Sequence, residues 1–206
     1  MIKTLIFDLG KVIINFDHSR IIQRIEQFCE FNKAEISQKV FATTATQDYE
    51  IGKISSLEFF ESVKNSLDLR MNFSEFADTW NCTFDLKPIL SESFIENLAT
   101  KYRLLILSDT NELHFEFIKQ NFPILRYFDD YVLSYQVGVV KPDEKIFRAA
   151  IEKASCSAEE CFFTDDREPN VLGAQKVGIN AVQFISAEQL AESIQNIIRQ
   201  NVSISV

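Results

Sequence analysis

Three apolar runs in this chain each end in a carboxylate, and helical stretches lie between them. Leu5-Ile6-Phe7 leads to Asp8, Leu104-Leu105-Ile106-Leu107 to Ser108-Asp109, and Cys161-Phe162-Phe163 to Thr164-Asp165-Asp166. A short run that is apolar at every position reads as a strand buried on both faces, the habit of parallel sheets. Parallel strands need crossovers, and the segments between these runs carry helical spacing. A charged group at the end of a core strand is costly unless something pairs with it. The same feature therefore sets both the architecture and the place to look for chemistry.

The fold class is α/β, a Rossmann-like parallel sheet core with an inserted helical cap domain. Residues 2–7 read as the first strand. Residues 19–31 read as a helix, with Ile21, Ile22, Ile25, Phe28 and Cys29 at helical spacing. Ser55-Ser56-Leu57-Glu58 is a capping-box pattern opening another helix, and Phe73, Phe76, Ala77 and Trp80 mark a third. No strand-like run bounded by turns stands between residues 15 and 86. From residue 90 onward strands and helices alternate: a helix at 92–101, the 102–107 strand, a helix at 112–120, the strand Tyr131-Val132-Leu133, a helix after Pro142, the 161–163 strand, a helix at 170–177 ending at Gly178, the strand 181–184, and a last helix capped at Ser186. The division is 1–14 and 87–206 for the core and 15–86 for the cap, with residues 202–206 expected to fray.

Composition narrows the function. Asp plus Glu total 30 against 21 Lys plus Arg, a net charge of −9, which argues against nucleic acid or an anionic membrane as the main partner. Any phosphate site must be made positive locally. The four cysteines show no C-x-x-C spacing and read as small buried apolar residues rather than zinc ligands or disulfides. No signal segment or long apolar window is seen, so the reading is a soluble cytoplasmic protein, monomeric or weakly homodimeric.

In an open sheet the carboxyl ends of the strands converge on one edge, where ligands bind. Asp8, Asp109, Asp165 and Asp166 therefore meet there, and carboxylates so close repel unless a cation is bound. Oxygen-only ligands suit Mg²⁺, which takes one or two carboxylates and a substrate phosphate. Ser108 and Lys141 complete a phosphate cradle.

Asp8-Leu9-Gly10, Leu107-Ser108-Asp109-Thr110-Asn111, Lys141-Pro142 and Phe163-Thr164-Asp165-Asp166 resemble the four ordered motifs of the haloacid dehalogenase-like hydrolases. The forms F-D-L-G-x-V-I, S-x-T-N-x-L-H and D-D-x-x-x-N resemble the subgroup that includes glucose-1-phosphate phosphatases. The cap phrases Glu50-Ile51-Gly52-Lys53-Ile54-Ser55 and Trp80-Asn81-Cys82-Thr83-Phe84 do so too. The resemblance implies a Mg²⁺-dependent phosphomonoester hydrolase acting on a small phosphorylated metabolite such as a sugar phosphate. Asp8 would be the nucleophile and carry a phosphoaspartate. Asp8, the Gly10 carbonyl and Asp166 would ligate the metal, with Asp165 beside them. Ser108, Asp109 and Lys141 would bind the phosphoryl group, Lys141 also neutralising Asp8.

Two departures from the pattern matter. Gly10 stands where most phosphatases of the family carry an aspartate that protonates the leaving group, a loss that typically costs about 10²–10⁴-fold. Asp109 replaces an asparagine and adds negative charge beside an anion site. His18 is the outside candidate for a surrogate acid, His114 reads as a surface or satisfied helix position, and Trp80 reads as cap core that could line the cleft. The rival readings are a metal-independent dehalogenase of the same family and a non-catalytic phospho-ligand or protein-binding member.

Overall fold

A computed structural model describes residues 1–203, with side chains through residue 197. In chain order the elements are β1 (Thr4–Phe7), β2 (Ile14–Phe16), α1 (Ser19–Ile25), α2 (Lys33–Phe41), α3 (Thr44–Glu50), α4 (Ser56–Leu67), α5 (Phe73–Asn81), β3 (Phe84–Pro88), α6 (Glu92–Ala99), β4 (Arg103–Ser108), α7 (Glu112–Asn121), β5 (Asp130–Leu133), α8 (Ser134–Val137), α9 (Glu144–Ala154), β6 (Cys161–Asp165), α10 (Glu168–Lys176), β7 (Asn180–Gln183) and α11 (Ala187–Ser203). Of the tail expected to fray, residues 204–206 lie outside the described residues.

Five strands form a parallel sheet in the order β5-β4-β1-β6-β7. β1 is central because every residue in it is buried. Leu5 and Phe7 enter one core cluster, with Leu104, Ile106, Phe115 and Phe162, while Ile6 enters the other, with Leu105, Leu107, Phe147 and Phe163. The period-two alternation thus divides side chains between two apolar faces, which explains the unbroken apolar runs. Each such side chain stabilises the fold by about 1.5–3 kcal/mol. The register pairs Phe7 with both Ile106 and Thr164. Asp8 therefore leaves β1 level with the ends of β4 and β6, and its N–H donates to Thr164 O at 2.9 Å.

A third cluster gathers Ile21, Ile25, Tyr49, Phe59, Phe76 and Trp80 from the helices between β2 and β3. Three of those helices open on full capping boxes: Asn32 with Glu35, Ser55 with Glu58, and Asn72 with Glu75. Each satisfies otherwise orphaned N–H groups, a contribution of about 0.5–2 kcal/mol.

The structure corrects two expectations. The helix expected over 19–31 stops at Ile25. There the Phe28 N–H closes a tight turn on Ile25 O at 2.8 Å, and Phe28 O accepts from Arg70 N at 3.0 Å. That contact pulls the chain off the helical path until Asn32 caps α2. The second correction is that 14–16 and 84–88 pair as a two-stranded antiparallel ribbon, which carries the chain into and out of the helical segment. Its residues are mostly half-exposed and β3 ends in proline, so no apolar run announces it. Among the described residues no helix is long and apolar enough to cross a membrane.

Candidate active site

Lys141 is the centre of the strand-end cluster. Its ammonium lies 2.8 Å from Asp8 Oδ1 and 2.6 Å from Asp165 Oδ2, and it donates to Leu107 O at 3.1 Å. The side chain is 1% exposed, against 11% for Asp8 and 0% for Asp165. Burial alone would lower the Lys141 pKa, but Asp8, Asp165 and Asp109 outweigh it and hold the ammonium charged. Burial pushes the Asp8 carboxyl up to about 7 against the opposing pull of Lys141. Asp8 Oδ1 also accepts from its neighbour's amide, Leu9 N, at 2.7 Å.

The backbone holds Lys141 in place. Its N–H donates to Asp109 Oδ1 at 2.9 Å, so the aspartate beyond β4 pins the loop carrying the lysine. Burial, more than any neighbour, raises the Asp109 pKa. Ser108 is buried at the end of β4, and its hydroxyl makes only a long contact, 3.4 Å, to Asp109 O. That leaves it available to a ligand.

Asp165 is saturated. Its oxygens accept from Lys141 Nζ, from Arg167 N at 2.9 Å, and from Asn170 Nδ2 at 3.0 Å on each oxygen. Asp166 is half-buried beside it. Its pKa is raised, chiefly by burial and then by Asp165. One carboxylate oxygen from each of Asp8, Asp165 and Asp166 lies within 4.8 Å of the others. All donors here are oxygens, the set that suits a hard divalent cation. Asn170 Oδ1 is buried without a hydrogen-bond partner. It lines the same cavity of about 140 Å³ as Asp8, Gly10, Lys141 and Asp166. The residues present therefore fit Mg²⁺.

A second cavity, of about 120 Å³, opens on the other side of Gly10 and Asp109 and is lined by Ser108, Glu50, His18, Phe41 and Trp80 among others. Its wall is a continuous ring stack. His18 lies 4.9 Å from Phe16 and 5.0 Å from Phe41, Phe41 stacks on Trp80 at 5.7 Å, and Trp80 on His114 at 5.3 Å. His114 is buried, and burial lowers its pKa to about 3, so it is neutral. Its Nε2–H donates to Trp80 O at 3.1 Å, and its Nδ1 accepts from Asn111 Nδ2 at 3.2 Å. Of the two readings open for it, a surface or a satisfied helix position, the structure gives the second. Lys11 spends its ammonium on Asn15 Oδ1 and Phe16 O, at 2.7 and 2.6 Å.

The structure thus brings together Asp8, Gly10, Ser108, Asp109, Lys141, Asp165 and Asp166 at one sheet edge. Three participants are missing from the sequence-based site. Asn170 was legible, five residues after Asp165 in the first turn of α10. Phe16 was not: a Cβ on Gly10 would sit 2.7 Å from Phe16 Cε1, so a ring fills the space a side chain at position 10 would take. Glu50 comes from α3 and meets the site only through the fold.

A family model described as haloacid dehalogenase-like hydrolase matches residues 2–178, and the chain belongs to that family. It is 27% identical over 189 residues to the D-ribitol-5-phosphate phosphatase of Bacteroides thetaiotaomicron, covering 89% of this chain and 92% of that one. A shorter stretch of 89 residues, 40% of this chain and 35% of the other, is 35% identical to a glyceraldehyde 3-phosphate phosphatase of Pyrococcus abyssi. Among solved structures, the haloacid dehalogenase-family enzyme BT-2542 of Bacteroides thetaiotaomicron, in complex with magnesium and inorganic phosphate, superposes with a TM-score of 0.81 at 29% identity. It covers 91% of this chain and 96% of that one.

Proposed function

We propose that this hydrolase removes phosphate from a small phosphorylated metabolite of the sugar- or polyol-phosphate kind, with Asp8 as nucleophile and Mg²⁺ as cofactor. The observation that carries the reading is the buried Asp8–Lys141–Asp165 ion cluster with Asp166 beside it. Such a cluster is expensive to keep in a core for stability alone. A relative named as a ribitol-phosphate phosphatase supports the substrate class, and a cavity of about 120 Å³ suits a small leaving group.

Asp8 and Asp166 carboxylates and the Gly10 carbonyl would hold the cation, which supplies charge neutralisation at the phosphate. Asp165, whose oxygens are already taken, orients Lys141 and Asn170. Lys141 favours the ionised form of Asp8 against the effect of burial and draws the phosphate toward it, while the Ser108 hydroxyl donates to a phosphoryl oxygen. Asp8 attacks phosphorus and water then releases the phosphoaspartate. Residues 15–86 act as the cap that excludes water from this step. The four free cysteines support a reducing, cytoplasmic setting.

The test is phosphate release from a panel of sugar, polyol and triose phosphates with Mg²⁺ and again with EDTA. Turnover that needs Mg²⁺ is the expected result. Hydrolysis of 2-haloacids that survives EDTA points instead to a dehalogenase, and phosphate-ester binding without turnover to a non-catalytic member.

A further inference from the structure

The proton donor that Gly10 cannot supply has to come from somewhere on the leaving-group side. The cavities that flank Gly10 share three residues, Gly10 itself, Phe16 and Asp109. Asp8, Lys141 and Asp166 line one of them and Ser108, Glu50 and His18 the other. A leaving group that extends from Asp8 past Gly10 enters the cavity that Glu50 lines. A side chain at position 10 would require the Phe16 ring to shift, because its Cβ would lie 2.7 Å from Phe16 Cε1.

We propose that Glu50, carried on the cap, donates the proton to the leaving oxygen in place of the side chain absent at position 10.

The inference rests on the phosphatase reading above and deepens it. Glu50 is fixed to the catalytic edge by its own backbone. Ser134 Oγ lies 2.7 Å from Glu50 O and 2.9 Å from Thr110 O, and it accepts from Thr110 N at 2.9 Å. Two residues further on, Gly52 holds a φ of 69° against the carbonyl of Tyr135, where no other residue would fit. The backbone that carries the Glu50 carboxyl is thus tied, through Ser134, to Thr110 in the segment that carries Ser108 and Asp109. Burial and the nearby Asp109 both favour its protonated form. His18 lines the same cavity, but burial lowers its pKa and so disfavours the protonated ring, and its ring faces are taken by Phe16 and Phe41. A neutral imidazole is a poor acid for an alkoxide.

The chemistry balances. As Asp8 forms its bond to phosphorus, the bond to the leaving oxygen breaks, its electron pair stays on that oxygen, and the Glu50 proton completes the alcohol. Glu50, now a carboxylate, takes a proton from the water that attacks the phosphoaspartate. Asp8 leaves with the electron pair of its bond to phosphorus, and inorganic phosphate is released.

The test compares leaving groups in wild type, Glu50→Gln, Glu50→Asp and His18→Gln, each checked for an unchanged thermal midpoint. 2,4-Dinitrophenolate departs without a proton, whereas the alkoxide of glycerol phosphate needs one. Glu50→Gln should lose about 10²–10⁴-fold in kcat/KM on glycerol phosphate and only a few-fold on the dinitrophenyl ester, with Glu50→Asp between. His18→Gln should change both alike. Equal losses on the two esters for Glu50→Gln, no loss at all, or the selective loss appearing in His18→Gln instead overturns the assignment. Absence of turnover of either ester by wild type would overturn the phosphatase reading itself.

Discussion

Asp8→Asn is expected to bring phosphate release down to background, a loss on the order of 10⁵-fold or more, as for other covalent nucleophiles. The substitution keeps the shape of the side chain and an oxygen for the Leu9 amide. Lys141 keeps Asp165 and the Leu107 carbonyl as partners, so no buried charge is left alone. Stability should therefore change by no more than about 2 kcal/mol in a denaturant titration. An inactive variant that is also unfolded would not speak to the nucleophile. A folded variant as active as wild type would show that Asp8 is not it.

Lys141→Met should do two things at once. It removes the cation that pairs with both Asp8 and Asp165 while retaining an unbranched apolar stem. Two buried carboxylates without their partner cost about 3–5 kcal/mol, and activity should vanish with the charge. The sign of the pH dependence follows from linkage. Burial already raises the Asp8 carboxyl against the pull of Lys141; without that pull the folded Asp8 holds its proton more tightly than the unfolded one, so the deficit is largest near neutral pH and shrinks as falling pH protonates it. Urea titrations of both proteins from pH 7.5 down to 5 measure it. A deficit below about 1 kcal/mol at neutral pH would mean that Lys141 is not the group balancing the cluster.

The elements easiest to read from the sequence were those buried on two sides. β1, β4 and β6 have no polar interruption because both faces meet apolar clusters, and their ends delivered Asp8, Ser108, Asp109, Asp165 and Asp166. Lys141 was legible from the proline that follows it in its motif. The ribbon of β2 and β3 was not, since two short half-exposed strands hold together by pairing with each other. Nor was the end of α1, which a contact with Arg70, more than 40 residues away, decides. In the site, the absence of a side chain at position 10 was plain, but its meaning was not. Phe16 against Gly10, and Glu50 held by Ser134 across 84 residues, are products of tertiary approach that no local pattern encodes.

The proposed mechanism passes through a covalent phosphate on Asp8. The enzyme, quenched in acid during turnover of a sugar phosphate with Mg²⁺, can be reduced with borohydride and digested for peptide mass spectrometry. An acyl phosphate at Asp8 is reduced to homoserine, so homoserine is expected at position 8 in wild type and unmodified asparagine there in Asp8→Asn. Phosphate released with no modification at position 8, or with the label on another carboxylate, would contradict it.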